Sequence, residues 1–66
     1  MQIMLNGDSS DVPDGLNVEG LLAHLEIPLR KVAVERNLEI VPKSRYADTV
    51  LQAEDRIEIV HFIGGG

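Results

Sequence analysis

The chain contains no cysteine and no tryptophan, and its aromatic content is one tyrosine and one phenylalanine. Without cysteine there is no disulfide framework, no thiolate nucleophile and no Cys-type zinc or iron–sulfur site, and nothing points to an oxidising compartment, so a cytoplasmic location is the expectation. With so few aromatics the core must be built from aliphatic side chains, which is feasible because 44% of the 66 residues are hydrophobic. No run of about 18 apolar residues is present to span a bilayer, and the opening positions lack the basic and apolar regions of a secretion signal. Met1 is therefore expected to be the native start, and no membrane association is expected.

Basic residues are missing from residues 1–29, which carry five acids (Asp8, Asp11, Asp14, Glu19, Glu26), whereas residues 30–66 carry six of each sign. The net charge of −5 has the wrong sign for holding nucleic acid or an anionic membrane through phosphates, so the expected partners are proteins. The acidic first half is either a solvated face that keeps a small domain soluble or a steering surface for a basic partner. A chain of this size buries roughly 60% of its unfolded surface, enough for one domain but not for an enclosed substrate cavity as well.

Met1 to Leu5 alternates apolar and mixed positions and runs into Asn6-Gly7, the dipeptide best suited to the positive-φ positions of a tight hairpin turn. A second strand over about Asp8 to Val12 ends at Pro13-Asp14-Gly15, a turn signal. Asn17 can cap a helix in which Val18, Leu21, Leu22 and Leu25 form one face of a 3.6-residue period. Gly20 weakens that helix by about 1 kcal/mol relative to alanine, and Pro28 stops it, so the helix is short and needs a sheet to pack on. The β-branched run Val32 to Arg36 and the strand Glu39-Ile40-Val41 flank Asn37-Leu38, a two-residue hairpin spacing in which Asn37 tolerates positive φ and Leu38 does so poorly. Pro42 and a possible cap at Ser44 open an irregular segment with Tyr46. The final strand, Arg56 to Phe62, alternates Ile57 and Ile59 with charged Arg56 and Glu58. The order strand, strand, helix, strand, strand, irregular segment, strand predicts an α+β two-layer domain, one helix across a mixed four- or five-stranded sheet.

No phosphate-binding glycine loop, dinucleotide fingerprint or zinc-protease motif occurs. His24 and His61 are too far apart in sequence to form a metal-ligand pair and read as surface histidines; no metal site is expected. Ser9, Ser10 and Ser44 lack the context of a nucleophilic serine. The unusual feature is Gly64-Gly65-Gly66: with glycine at about 7% of residues, three in a row at a given position arise with a probability of roughly 0.0003. A cloning scar, a cut linker or a frayed tail would account for it, as would a functional role. In the functional reading Gly66 presents its α-carboxylate, and the absence of side chains lets the tail enter a slot too narrow for other residues. Extended, Ile63 to Gly66 reaches about 13 Å, enough to thread a neighbour's active site.

A terminal carboxylate with a pKa of about 3.5 is ionised and inert to nucleophiles at neutral pH. Joined to AMP it becomes an electrophilic mixed anhydride with a good leaving group. The nucleotide chemistry must belong to a partner, since this chain has no phosphate loop. If Ile57 and Ile59 face the core, Val60 and Phe62 share the opposite face with Arg56 and Glu58. Val60 and Phe62, with Ile63 beyond them, form a candidate docking patch; the alternative is that Phe62 folds onto the sheet edge as core.

Met1-Gln2-Ile3 with Leu5-Asn6-Gly7, the Pro13-Asp14-Gly15 turn, Val32-Ala33-Val34-Glu35, Glu39-Ile40-Val41-Pro42-Lys43-Ser44, Asp55-Arg56-Ile57-Glu58-Ile59-Val60 and the terminal Gly-Gly resemble the ThiS family, the sulfur carriers of thiamine biosynthesis, over the whole chain. The terminal glycine pair is also similar to those of the molybdopterin-synthase small subunit and of ubiquitin-like modifiers. The resemblance implies a ubiquitin-like β-grasp domain over residues 1–62 and a flexible glycine-rich tail over 63–66. It implies that an E1-like adenylyltransferase uses ATP to activate Gly66, that a cysteine-desulfurase-derived persulfide turns the adenylate into a thiocarboxylate, and that thiazole synthase accepts the sulfur. Gly66 is then the modified residue, and Gly64 and Gly65 thread the partner's active site. The chain itself is expected to be a covalent co-substrate, not an enzyme, with no bound cofactor, and a monomer when free. Two departures from the family pattern are visible: Glu54-Asp55 stands where members often have Gly-Asp, and members often have glycine or a small polar residue near Leu38. A protein modifier joined through isopeptide bonds and a non-covalent interaction module are the competing functions. The missing cysteine sharpens the first reading, because a carrier without a thiol must hold sulfur on its main-chain carboxylate.

Overall fold

The computed structural model describes residues 1–61. Five strands, β1 (Gln2–Leu5), β2 (Asp8–Asp11), β3 (Val32–Arg36), β4 (Glu39–Val41) and β5 (Arg56–His61), form one sheet in the order β2-β1-β5-β3-β4. β5 is the centre, parallel to β1 and antiparallel to β3, so the first and last strands of the chain are neighbours. The one α-helix among the described residues, α1 (Val18–His24), covers one face, with 3-10 turns at Leu29–Lys31 and Lys43–Arg45. This mixed sheet with one helix across it is the β-grasp arrangement.

Period-two alternation decides what each strand buries. Ile3, Val34, Ile57 and Ile59 point to the helix side, where Val18, Leu21 and Leu22 meet them in a core completed by Val12, Val32, Val41, Tyr46 and Leu51. Each fully buried aliphatic side chain contributes about 1.5–3 kcal/mol relative to an exposed one. Both hairpins are of the kind with two positive-φ residues: Asn6 (φ 49) and Gly7 (φ 87) join β1 to β2, and Asn37 (φ 52) and Leu38 (φ 73) join β3 to β4.

The helix ends are specified by contacts near and far. The Asn17 side chain accepts from the Gly20 N–H at 2.6 Å and donates to the Ala47 carbonyl, while Val18 and Glu19 donate their N–H groups to the Thr49 and Tyr46 carbonyls. The irregular segment thus closes the N-terminal turn. At the other end Glu26, at φ 60, donates to the Ala23 carbonyl and Ile27 to that of Leu22, the paired bonds of a Schellman cap with glutamate where glycine is usual.

Two sequence expectations change. Gly20 is more than a weak helix residue, because a Cβ there would lie 3.0 Å from both Asn17 Oδ1 and Leu16 Cδ2, inside the space the cap occupies. Ser44 caps nothing; it lies within the 3-10 turn that follows Pro42, which has no side-chain cap. The acidic first half is partly engaged, since Asp11 and Asp14 lie 3.4 and 2.9 Å from the Met1 ammonium. Both carboxylates are largely exposed, so these pairs add little stability.

Candidate functional site

The candidate site is the outer face of the sheet together with the C-terminal end of β5. On β5 the alternation runs as the sequence implies: Ile57 and Ile59 are buried, Arg56, Glu58 and Val60 exposed. Val60, at 55% exposure, sits opposite Ala33 of β3. Phe62, Ile63, Gly64, Gly65 and Gly66, the remaining docking, threading and modification candidates, lie outside the described residues.

Strand order adds residues that reading along the chain did not join to Val60. Ile40 of β4, 64% exposed, lies opposite Glu35, which in turn lies opposite Glu58. Met4 and Leu38, also exposed, line with Gly7, Arg56 and Glu58 a depression of about 330 Å³ at the other end of the same face. The only sequence signal for Ile40 was its parity against Val41 within a three-residue strand. Glu35 and Glu58 are directly opposed like charges, and neither forms an ion pair among the described residues. Such pairs are mildly destabilising, so the outer face is not arranged for stability.

The base of this face is fixed by Asp55, the one buried charged residue of the described chain, at 6% exposure. Burial alone would raise its pKa. The N–H of Gln52 and the side chains of Arg36 and Asn37 all donate to its carboxylate, and with the Arg36 charge they hold it below its ordinary value of 3.8. Asp55 therefore ties the β3–β4 hairpin to the turn that leads into β5. The Glu54 before it has φ 68, and Leu38 in that hairpin φ 73. Both are left-handed backbone positions occupied by residues with a Cβ.

At the far end of β5 the outward signals are weaker. His61 is exposed and pairs with Val32, and His24 is exposed in the last helical turn. Among the described residues no group of His, Cys, Asp or Glu is placed to hold a metal ion, and no helix is long and apolar enough to cross a membrane. A groove of about 420 Å³ opens beside His61 between Leu5, Asn6, Leu25, Ile27 and Ile59. Asn6 makes contact across it: its backbone N–H donates to the Ile57 carbonyl, its Oδ1 accepts from the Ile59 N–H at 2.7 Å, and its Nδ2 donates to the Ile59 carbonyl at 3.4 Å.

A small β-grasp domain whose central last strand presents an open face and leads into a glycine tail belongs structurally with the ubiquitin-like proteins. Its relatives narrow that class. The chain is 45% identical over 65 residues to the sulfur carrier protein ThiS of Bacillus subtilis, covering 97% of this chain and 98% of that one. A crystal structure of the thiamine biosynthesis protein ThiS of Geobacter metallireducens superposes with a TM-score of 0.86 at 33% identity, covering both chains fully. A protein named thiazole synthase in Paramagnetospirillum magneticum is 52% identical over all 66 residues, of which this chain spans only 20% of the length. The ThiS family model matches residues 3–66, and the chain belongs to the ThiS family.

Proposed function

We propose that this chain is a sulfur carrier of thiamine biosynthesis, a covalent co-substrate that brings no catalytic residue of its own. The observation that carries this reading is the family match, which runs unbroken from residue 3 through Gly66 and so includes the Gly64-Gly65-Gly66 tail. In the first step the Gly66 carboxylate attacks the α-phosphorus of ATP in an E1-like adenylyltransferase, pyrophosphate leaves, and an acyl adenylate forms. The terminal sulfur of a cysteine-desulfurase-derived persulfide then displaces AMP, and a thiol cleaves the resulting S–S bond, leaving the thiocarboxylate and a disulfide. Thiazole synthase receives that sulfur; relatives bearing that name over a longer chain support this partner. ATP is the adenylating partner's co-substrate, and the carrier holds no cofactor.

Val60 lies on the open face of the strand that leads to Gly66, so docking through this face and threading of Gly64 and Gly65 are parts of one contact. Phe62 and Ile63 belong to the same proposed surface.

Mass spectrometry tests the reading. Incubation with the adenylating enzyme, ATP and a persulfide source is expected to add about 16 Da, the replacement of one oxygen by sulfur at Gly66. Deletion of Gly65 and Gly66 is expected to abolish this with the fold unchanged. Attachment to lysines of larger proteins would instead mark a protein modifier, and function that survives the deletion would mark a non-covalent module. A mature polypeptide that continues past Gly66 has no carboxylate there to activate, and its intact mass would refute the scheme.

A further inference from the structure

The β1–β5 ladder is short: only Met4↔Arg56 and Leu5↔Ile57 are paired before β1 turns away at Asn6-Gly7. β3 continues on the other flank of β5 as far as Val32↔His61. From Ile59 onward, β5 would therefore be held on one side alone. Asn6 fills the gap. Its carboxamide offers one acceptor and one donor to the Ile59 N–H and C=O, reproducing with a side chain the two-bond exchange of an antiparallel residue pair. The φ of 49 at Asn6 lets the backbone turn toward β2 while the side chain stays on β5. Its own N–H to Ile57 O, at 2.8 Å, anchors the base of the clamp.

We propose that Asn6 is a positioning residue for the chemistry at Gly66: by holding Ile59 from the side that β1 abandons, it fixes the course of β5 up to its end at His61, the strand that presents the tail to the partner. The inference rests on the carrier reading above. Loss of the clamp leaves Val60 and His61 paired with Ala33 and Val32 of β3, so the docking residue stays on the sheet, but the unsupported flank of β5 loosens and the reacting carboxylate is less often aligned. Misplacement of a reacting group by about 1 Å costs up to on the order of 100-fold in rate.

The test compares Asn6→Gly and Asn6→Asp with the unsubstituted chain as substrates of the adenylating enzyme, following pyrophosphate release against carrier concentration. Glycine keeps the left-handed turn but removes both side-chain bonds; aspartate keeps the acceptor for the Ile59 N–H. Asn6→Gly is expected to lower kcat about tenfold with KM for the carrier unchanged, and to speed hydrogen exchange at the Ile59 amide. Asn6→Asp is expected to recover most of both. If the Ile59 amide exchanges faster in Asn6→Gly while kcat holds, the inference fails and the carrier reading stands. A rise in KM with constant kcat, or loss of folding in both variants, assigns Asn6 to stability alone and overturns the proposal. No pyrophosphate release from the unsubstituted chain would refute the carrier reading itself.

Discussion

The two faces of the sheet are made from alternate residues of the same strands and yet are governed by different requirements. On the helix side Ile3, Val34, Ile57 and Ile59 are fully or nearly buried against Val18, Leu21 and Leu22. On the outer side Met4, Ile40 and Val60 remain exposed, and Glu35 faces Glu58 with neither in an ion pair among the described residues. One face is optimised for packing; the other retains apolar area and a charge conflict that packing would have removed. The difference teaches that fold stability and the proposed docking surface are separated by side-chain parity, so that each is expected to be alterable without the other.

The separation is most severely tested on the buried face. Ile57→Ala is expected to cost about 3 kcal/mol by denaturant unfolding, since it removes a fully buried side chain from the central strand. A loss below about 1 kcal/mol would mean that the core can collapse around the gap and that the two faces are less distinct than their burial implies.

Asp55, on the turn that leads into β5, comes next. Asp55→Ala is expected to cost about 2 kcal/mol, because Arg36, Asn37 and the Gln52 N–H lose a shared acceptor. The folded-state pKa lies below the ordinary 3.8, so the contribution is complete above that value and is lost as pH falls through the folded pKa. Thermal unfolding followed from pH about 5 downward should show the wild type losing stability relative to Asp55→Asn, whose side chain does not titrate. Parallel curves would remove the electrostatic role.

Leu38→Gly should stabilise by about 1 kcal/mol, because it relieves a left-handed conformation at an outer-face residue that is 78% exposed. Any loss of partner binding in the same variant would show that Leu38 is kept for contact. Val60→Asp should change stability least, by about 1 kcal/mol or less, while weakening association with the adenylating partner in a titration. An unfolded variant would place Val60 in the core and break the distinction between the faces.

Much of this was legible in the chain. The hairpin at Asn6-Gly7 and the cap at Asn17 are local backbone chemistry, and the helix stripe and the β5 alternation are local periodicity. The harder features join residues distant in sequence. Tyr46 looked like part of an irregular loop but is buried at 3%, because its segment folds over the N-terminus of α1. Nothing local marks Asp55 for burial; only the approach of Arg36 and Asn37, 19 and 18 positions earlier, makes it a buried ion-pair member. Gly20 carried a propensity penalty in the sequence and a steric reason in the structure.

By itself the sequence determined the element order, the apolar stripe of the helix, the buried side of β5 and the lack of any thiol among its side chains. These follow from period, turn chemistry and functional-group inventory, all of which are written along the chain. Only the tertiary structure decided that β1 lies beside β5, that Ile40 joins Val60 on one face, and that Asn6 reaches Ile59 across 53 positions. Strand neighbours are chosen by burial of the whole sheet against one helix, a global condition that no local pattern expresses.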